Sequence, residues 1–114
     1  MSGNGVMNGS GGENISTVEV EQALLSHTAV VDAAVIGVAD DRWGERPKAF
    51  VVLGTGQSID ERELIEHVRS RIAHYKAPDV IELLSALPRN STGKVQKSRL
   101  RERERANRAH AVTG

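Results

Sequence analysis

The sequence of 114 residues contains no cysteine and only one tryptophan, one tyrosine and one phenylalanine. The lack of cysteine excludes a disulfide scaffold, cysteine catalysis and a cysteine-based zinc site. No apolar run approaches the roughly 18 residues that a membrane-spanning helix needs, and no signal-peptide pattern is visible. We therefore expect a soluble, cytoplasmic protein whose core is built mainly from aliphatic side chains.

Two common kinds of site are also missing from the sequence. The four histidines form no i,i+4 pair, which argues against a metal site. A Walker A loop needs the pattern G-x-x-x-x-G-K-[ST], but Pro88 stands where its first glycine belongs and Val95 follows Lys94. The sequence therefore predicts neither a metal centre nor a phosphate-binding P-loop.

The charges balance overall but are unevenly distributed along the chain. Residues 1–88 carry 7 Lys/Arg and 13 Asp/Glu, a net charge of −6, whereas residues 89–114 carry 8 and 2, a net charge of +6. Such a basic end is a candidate contact for phosphate-bearing partners. The alternation of arginine and glutamate from Arg99 to Arg105 is more typical of a solvated helix face, and it lacks the aromatics of a nucleic-acid patch.

Hydrophobic periodicity predicts three helices and three strands. Capping boxes at Ser16/Glu19 and Ser58/Glu61 mark the starts of the first two helices, and the first two strands should pair antiparallel. The predicted elements are a helix at 16–27, strands at 29–38 and 48–53, a helix from 58 that ends before Pro78, a strand at 80–84 and a helix at 97–109. We expect an α+β fold, a small three-stranded sheet covered by helices.

The chain divides into three segments by composition. Residues 1–12 are rich in glycine, asparagine and serine without periodicity, and we expect them to be disordered or a remnant of cloning. Residues 13–101 should form the folded domain. Residues 102–114 are predicted to be a polar helical tail that frays.

The stretch Leu87–Lys97 places a lysine on a loop of polar and conformationally permissive residues. Pro88 disfavours a helix before it, Asn90 can satisfy backbone groups locally, and Gly93 permits conformations closed to other residues. Lys94 is then expected at the tip of an exposed turn, where its ammonium can reach a phosphate or a carboxylate. On spacing alone, an ordinary polar turn with a solvated lysine explains the loop as well.

Four segments, in the right order and spacing, resemble the motifs of one family. They are Gly11–Ile15 with the following Val18–Glu21, the hairpin Val30–Leu53, the segment Ile72–Pro78 (IAHYKAP), and Leu87–Lys97 with the pattern P-x-x-x-x-G-K-x-x-K. Together they resemble the C-terminal domain of AMP-forming acyl-CoA synthetases, members of the adenylate-forming superfamily. The resemblance covers roughly residues 11–100, and its first segment is closer to acyl-CoA ligases than to the adenylation domains of peptide synthetases.

This resemblance implies the mobile lid domain of a ligase that works in two steps. In the family, an acid reacts with ATP to give an acyl-adenylate and pyrophosphate, and the CoA thiol then displaces AMP. Lys94 would be the catalytic lysine of the first step. The residues implied in substrate or cofactor contacts are Gly11, Gly12, Glu13, Asn14, Trp43, Lys76 and Gly93, of which the first four, Trp43 and Lys76 would serve the CoA step.

The resemblance also implies what the domain works with. Its partners would be a large N-terminal adenylation domain, a carboxylic acid such as a fatty acid, ATP with Mg2+, and CoA, none of them held by this domain alone. Residues 1–10 do not match the family's hinge segment and the large domain is absent, so we expect this fragment to be inactive. A lysine acyltransferase acting at Lys94 is a further expected partner, and nucleic acid is not expected. The alternative is a small nucleic-acid-binding or protein-interaction module that uses the basic end.

Overall fold

The computed structural model describes residues 15–40, 44–72, 77–78 and 80–113. These ranges contain α1 (Ile15–Leu25), β1 (Val30–Asp40), β2 (Gly44–Leu53), α2 (Glu61–Arg69), β3 (Val80–Leu83) and α3 (Lys97–Thr113). The α+β class and the order of the elements confirm the prediction from the sequence. Within the same ranges, no helix is both long and apolar enough to cross a membrane.

The three strands form one mixed sheet in the order β1-β2-β3. β1 and β2 pair antiparallel from Asp40 opposite Gly44 to Val30 opposite Leu53, with a register shift between Val30 and Asp32, which confirms the predicted hairpin. β3 pairs in parallel with the second half of β2, beginning with Lys48 opposite Val80. A parallel pair cannot be joined by a tight turn, so α2 provides the crossover from β2 to β3.

Pro47 explains why β2 contacts β3 over only part of its length. Proline has no N–H, so a strand tolerates it only where no neighbour needs that donor. Pro47 lies opposite Gly37 of β1, and the pairing with β3 starts at the next residue, Lys48. β2 begins at Gly44, earlier than the predicted Lys48. The residues before Lys48 pair with β1 alone, because Pro47 has no N–H to offer to β3.

Both faces of the sheet are covered, which is why β1 is almost continuously apolar. Successive side chains of a strand point to opposite faces. Ala33 and Val35 accordingly pack in a cluster with α1 and α2, whereas Ala34 and Ile36 pack in a second cluster with α3. The first cluster includes Val20, Leu24, Ala49, Val51, Leu64, Val68 and Ile81, and the second includes Val38, Phe50, Leu87 and Leu100.

The helix α2 begins later than predicted, and it ends at Arg69 rather than just before Pro78. Asp60 is its N-cap, and the Asp60 carboxylate accepts a hydrogen bond from the backbone N–H of Arg62 at 3.1 Å. Ser58 is therefore not the N-cap, and the predicted capping box is wrong. A carboxylate nearer to the first turn satisfies the free N–H groups and also interacts favourably with the helix dipole.

A network of charges fastens α3 to the sheet. The ammonium of Lys48, a residue only 8% exposed, lies 2.6 Å from a Glu104 oxygen on α3 and 3.0 Å from Glu82 on β3. Arg103 of α3 donates to the same Glu82 at 2.6 Å. Burial by itself lowers the pKa of Lys48, but the bonds to Glu104 and Glu82 outweigh it and leave that pKa above the ordinary 10.5. Burial likewise raises the pKa of Glu82, and the bonds from Arg103 and Lys48 bring it below the ordinary 4.5.

Candidate functional site

The loop that carries Lys94 leaves the core and returns to it at buried side chains. Leu87 is 7% exposed and Leu100 is 1% exposed, and both pack in the cluster on the α3 side of the sheet. Val95 is half-buried against the same cluster. The residues from Arg89 to Lys94 are exposed. The loop is thus a short protrusion on a fixed base.

Backbone hydrogen bonds close this protrusion into a narrow turn. Arg89 and Val95 form an isolated antiparallel bridge across its base. The N–H of Asn90 donates to the carbonyl of Lys94 at 3.0 Å, and the N–H of Gly93 donates to the carbonyl of Asn90 at 2.9 Å. The course of the chain is therefore fixed on both sides of the tip.

The side chain of Asn90 braces the turn from inside. Its Oδ1 accepts hydrogen bonds from the backbone N–H groups of Thr92 and Lys94, both at 3.0 Å, and from the Thr92 hydroxyl at 2.6 Å. Gly93 adopts a φ of +89°, although a Cβ at this position would meet no atom within 4 Å. The predicted roles of Asn90 and Gly93 in shaping the loop are confirmed. Backbone conformation, rather than crowding, favours glycine here.

The two lysines of the motif occupy different environments. Lys94 is exposed, and among the described residues its ammonium has no ion-pair partner. The side chain of Lys97 is only 15% exposed, and its ammonium lies 2.7 Å from Glu21 of α1. Glu21 also accepts the N–H of Val35 on β1 at 2.9 Å. Lys97 therefore ties the start of α3 to the rest of the domain, whereas Lys94 can offer its charge and three donors to an external anion.

Arg89 connects the loop to the sheet. Its guanidinium donates one hydrogen bond to the carbonyl oxygen of Gly93 and another to the carboxylate of Asp32 on β1. Asp32 and Arg89 are 57 positions apart. The sequence analysis missed this pair because no local spacing connects residues so far apart.

The other predicted site residues lie outside the described residues: Gly11, Gly12, Glu13, Asn14, Trp43 and Lys76. Described elements start close to them. α1 begins at Ile15, β2 begins at Gly44, and Ala77 and Pro78 are buried. The contacts predicted for these six residues stay predictions.

Two histidines meet where the end of α1 approaches α2. The rings of His27 and His67 are 4.9 Å apart, edge to face. The Nε2 atom of His27 lies 3.6 Å from Glu63, and that of His67 lies 2.8 Å from the hydroxyl of Ser26. Burial, together with the charges of Arg71 and His27, lowers the pKa of His67 below the ordinary 6.5. No group of three side chains suited to a metal ion occurs in the described part of the chain.

Residues 19–94 match the family model described as the AMP-binding enzyme C-terminal domain, so the match ends on Lys94 itself. The chain belongs to this family. Its sequence is similar to segments of known CoA ligases. It is 50% identical over 95 residues to a probable CoA ligase of Humulus lupulus, covering 82% of this chain and 17% of the relative. It is 46% identical over 94 residues to a 2-succinylbenzoate–CoA ligase of Bacillus pumilus, covering 82% and 19%.

Solved structures place this AMP-binding enzyme C-terminal domain in the same group. A fatty acyl CoA synthetase of Mycobacterium tuberculosis aligns with a TM-score of 0.76 and 39% identity, over 86% of this chain and 19% of that one. An acyl-CoA synthetase of Brucella canis aligns with a TM-score of 0.75 and 38% identity, over 81% and 18%. The predicted resemblance and the fold of the C-terminal domain are confirmed. The chain spans less than a fifth of the length of these relatives.

Proposed function

We propose that this domain is the mobile part of an AMP-forming acyl-CoA ligase, an acid–thiol ligase for a fatty acid or a related carboxylic acid. A large N-terminal adenylation domain would bind ATP with Mg2+ and the acid. The small domain would supply Lys94 for formation of the acyl-adenylate and a second face for formation of the CoA thioester. The fragment alone would not turn over.

The braced turn beneath Lys94 is the observation that carries this proposal. Lys94 stands exposed on the returning side of a turn that Asn90 and Gly93 hold in one conformation, on a base closed by Leu87 and Leu100. Such a loop holds an ammonium away from the domain's own surface, where it can enter a pocket formed by another domain. The names of the similar proteins support the same reaction class.

The chemistry of the first step explains why a cation is needed. A carboxylate oxygen attacks the α-phosphorus of ATP, and the bond from that phosphorus to its bridging oxygen breaks as pyrophosphate leaves. Negative charge grows on the departing pyrophosphate and on the transferring group. Because the ammonium of Lys94 is already positioned, it stabilises this charge without reorganising at the moment of reaction. Removing one such donor typically slows a reaction by ~10²–10³-fold.

The second step places different demands on the domain. The CoA thiol must reach the acyl-adenylate carbonyl so that the new thioester bond replaces the bond to AMP. We assign this face to Gly11–Asn14 and Trp43, with Lys76 as a weaker candidate. The arrangement of the helices supports two separate faces, because α1, which follows Gly11–Asn14, packs on one side of the sheet and α3 on the other. A domain that rotates can then present one face for each step.

The test is to replace Lys94 with alanine in the full-length enzyme that carries this domain. Pyrophosphate release should slow by ~10²–10³-fold, whereas thioester formation from supplied acyl-adenylate should stay nearly unchanged. Lys97→Ala is the matched control, and its ion pair with Glu21 predicts lower stability without a preference for one step. An equal loss of both steps in Lys94→Ala would contradict the proposal.

The second face has its own variants. Gly12→Leu should slow thioester formation and spare adenylation, because a bulky side chain would block the thiol. Trp43→Ala should mainly raise the CoA concentration that half-saturates the enzyme. If Gly12→Leu slowed adenylation instead, the assignment of this segment to the CoA step would be wrong.

The exposure of Lys94 also supports regulation by acylation of its side-chain amine, which must first lose its extra proton. Acylation removes the positive charge that adenylation needs. After incubation with acetyl-CoA and a lysine acyltransferase, mass spectrometry should find the modification at Lys94. Lys48 and Lys97 are the internal comparators, because both are largely buried and ion-paired. Preferential labelling of either one would overturn this prediction.

A further inference from the structure

The peptide group between Gly93 and Lys94 is hydrogen-bonded by side chains at both of its polar atoms. Its carbonyl oxygen accepts from the Arg89 guanidinium. Its N–H donates to Oδ1 of Asn90 at 3.0 Å. A peptide that is held at both atoms cannot rotate about its flanking bonds, and its orientation sets the direction in which Lys94 leaves the chain.

Glycine makes this restraint necessary. Gly93 adopts a φ of +89° because it lacks a Cβ, and the same freedom lets the following peptide reorient at low cost. A Cβ built on Gly93 meets no atom within 4 Å, so no packing in that direction restrains the residue. Besides the backbone bonds that close the turn, two side chains restrain this peptide directly: the Arg89 guanidinium donates to its carbonyl oxygen, and Oδ1 of Asn90 accepts its N–H.

The restraint is anchored in the sheet rather than in the loop. The second branch of the Arg89 guanidinium donates to Oδ2 of Asp32 on β1. The other oxygen of Asp32 accepts the N–H of Ala33 at 3.0 Å, which holds the carboxylate in place. The side chain of Asp32 is 24% exposed and that of Arg89 is 42% exposed. The strand β1 is thereby connected, at the register shift beside Asp32, through one guanidinium to the carbonyl next to Lys94.

We propose that Arg89 is a positioning residue for Lys94, which it orients by joining the Gly93 carbonyl to Asp32. This inference rests on the proposed role of Lys94 in adenylation. A planar guanidinium with two branches can make both bonds at once, whereas a lysine makes them as a single flexible point charge. Loss of the connection would leave the charge of Lys94 intact, but its ammonium would sample other positions, farther from the reacting phosphate.

A displacement of about 1 Å can slow catalysis by ~10²-fold. We therefore expect Arg89→Gln in the full-length enzyme to slow adenylation by ~10- to 10²-fold through kcat, with little change in the KM for ATP or in thioester formation. Arg89→Lys should recover part of the rate. Asp32→Asn keeps a hydrogen-bond acceptor but loses the negative charge, so it should slow adenylation less than Arg89→Gln does. The double variant Arg89→Gln/Asp32→Asn should be no slower than Arg89→Gln alone, because the two side chains act as one unit.

A readout independent of activity comes from nuclear magnetic resonance on the 114-residue chain. In the unchanged chain, the Lys94 amide should show slow hydrogen exchange and the rigidity of the neighbouring helix α3. Arg89→Gln should abolish both at Lys94 while the α3 amides stay unchanged. Arg101→Gln, an exposed arginine on α3, is the matched control and should leave Lys94 as it is.

The combined outcomes separate this inference from the function on which it rests. If Lys94→Ala leaves adenylation intact, the proposed function fails, whatever Arg89 does to the loop. If Lys94→Ala slows adenylation but Arg89→Gln changes neither its rate nor the order of the Lys94 amide, Arg89 is not a positioning residue. Loss of both rate and amide order in Arg89→Gln, with partial recovery in Arg89→Lys, supports the inference.

Discussion

Replacing Lys48 with methionine tests how α3 is held to the sheet. Methionine has a similar length but no charge, so the change also removes the cation–π contact with Phe50, whose ring centroid lies 5.1 Å from the Lys48 ammonium. The change removes the bonds to Glu104 at 2.6 Å and Glu82 at 3.0 Å. Glu82 keeps Arg103 as a partner. Glu104 loses the one ion pair that it makes among the described residues.

The burial of the three side chains sets the expected magnitude. They are 10%, 18% and 25% exposed for Lys48, Glu104 and Glu82, which lies between a surface pair and a fully buried one. Exposed pairs contribute up to about 1 kcal/mol, and breaking a fully buried pair costs about 3–5 kcal/mol. We expect Lys48→Met to lower the free energy of unfolding by about 2 kcal/mol, close to the value for a hydrogen bond to a charged group. In a domain of this size that corresponds to a fall in Tm of roughly 8–16 °C.

Urea unfolding followed by circular dichroism measures this change. The double variant Lys48→Met/Glu104→Leu should regain part of the loss, because it leaves no unpaired carboxylate. Arg101→Met, at an exposed position of the same helix, should change the free energy of unfolding by no more than about 0.5 kcal/mol. A loss below about 0.5 kcal/mol in Lys48→Met, or no recovery in the double variant, would show that the network does not fasten α3.

Two further predictions concern the core and the acid range. Leu100→Ala should lower the free energy of unfolding, measured by chemical unfolding, by about 2–5 kcal/mol, because Leu100 is 1% exposed and anchors α3. Leu83→Ala, at a side chain that is 42% exposed, should lower it far less. Similar losses in the two variants would contradict the packing of α3 through Leu100. The pKa of His67 is lowered on folding, so the unfolded chain binds more protons just below pH 6.5. The part of the stability that depends on neutral His67 should therefore be fully present above pH 6.5. It should be lost as the pH falls through the folded pKa of His67. His67→Gln should flatten this fall, and an unchanged slope would refute the assignment.

The sequence predicted the elements of the fold better than their ends. The apolar run of β1 and the helical spacing in α2 are strong periodic patterns. The ends depend on which of several polar residues reaches the free backbone groups, and Asp60 rather than Ser58 does so at α2. α1 likewise starts at Ile15, one residue before its predicted N-cap. The parallel pairing of β3 depends on the crossover through α2 and was not predicted.

The candidate site divides in the same way between local and distant contributions. The turn that carries Lys94 could be predicted because the residues that shape it, Asn90 and Gly93, are its neighbours in sequence. The role of Lys94 was predicted only from the resemblance to the family. Contacts that depend on the folded chain could not be identified. The pairs Arg89–Asp32 and Lys48–Glu104 join residues 57 and 56 positions apart, so only the packing of α3 and the lysine loop on the sheet brings them together.

The most direct test of the central claim, that a positive charge at position 94 drives adenylation, is chemical rescue. The sequence contains no cysteine, so Lys94→Cys introduces a single thiol into this domain. In the full-length enzyme, Lys94→Cys should release pyrophosphate ~10²–10³-fold more slowly than the unchanged enzyme. Alkylation with 2-bromoethylamine rebuilds an ammonium on a side chain of nearly the same length, and the unchanged enzyme is treated in parallel as the control. We predict that alkylation raises pyrophosphate release by the variant at least ~10-fold and leaves its thioester formation from supplied acyl-adenylate unchanged. Full activity of Lys94→Cys before alkylation, or no recovery after it, would contradict the claim.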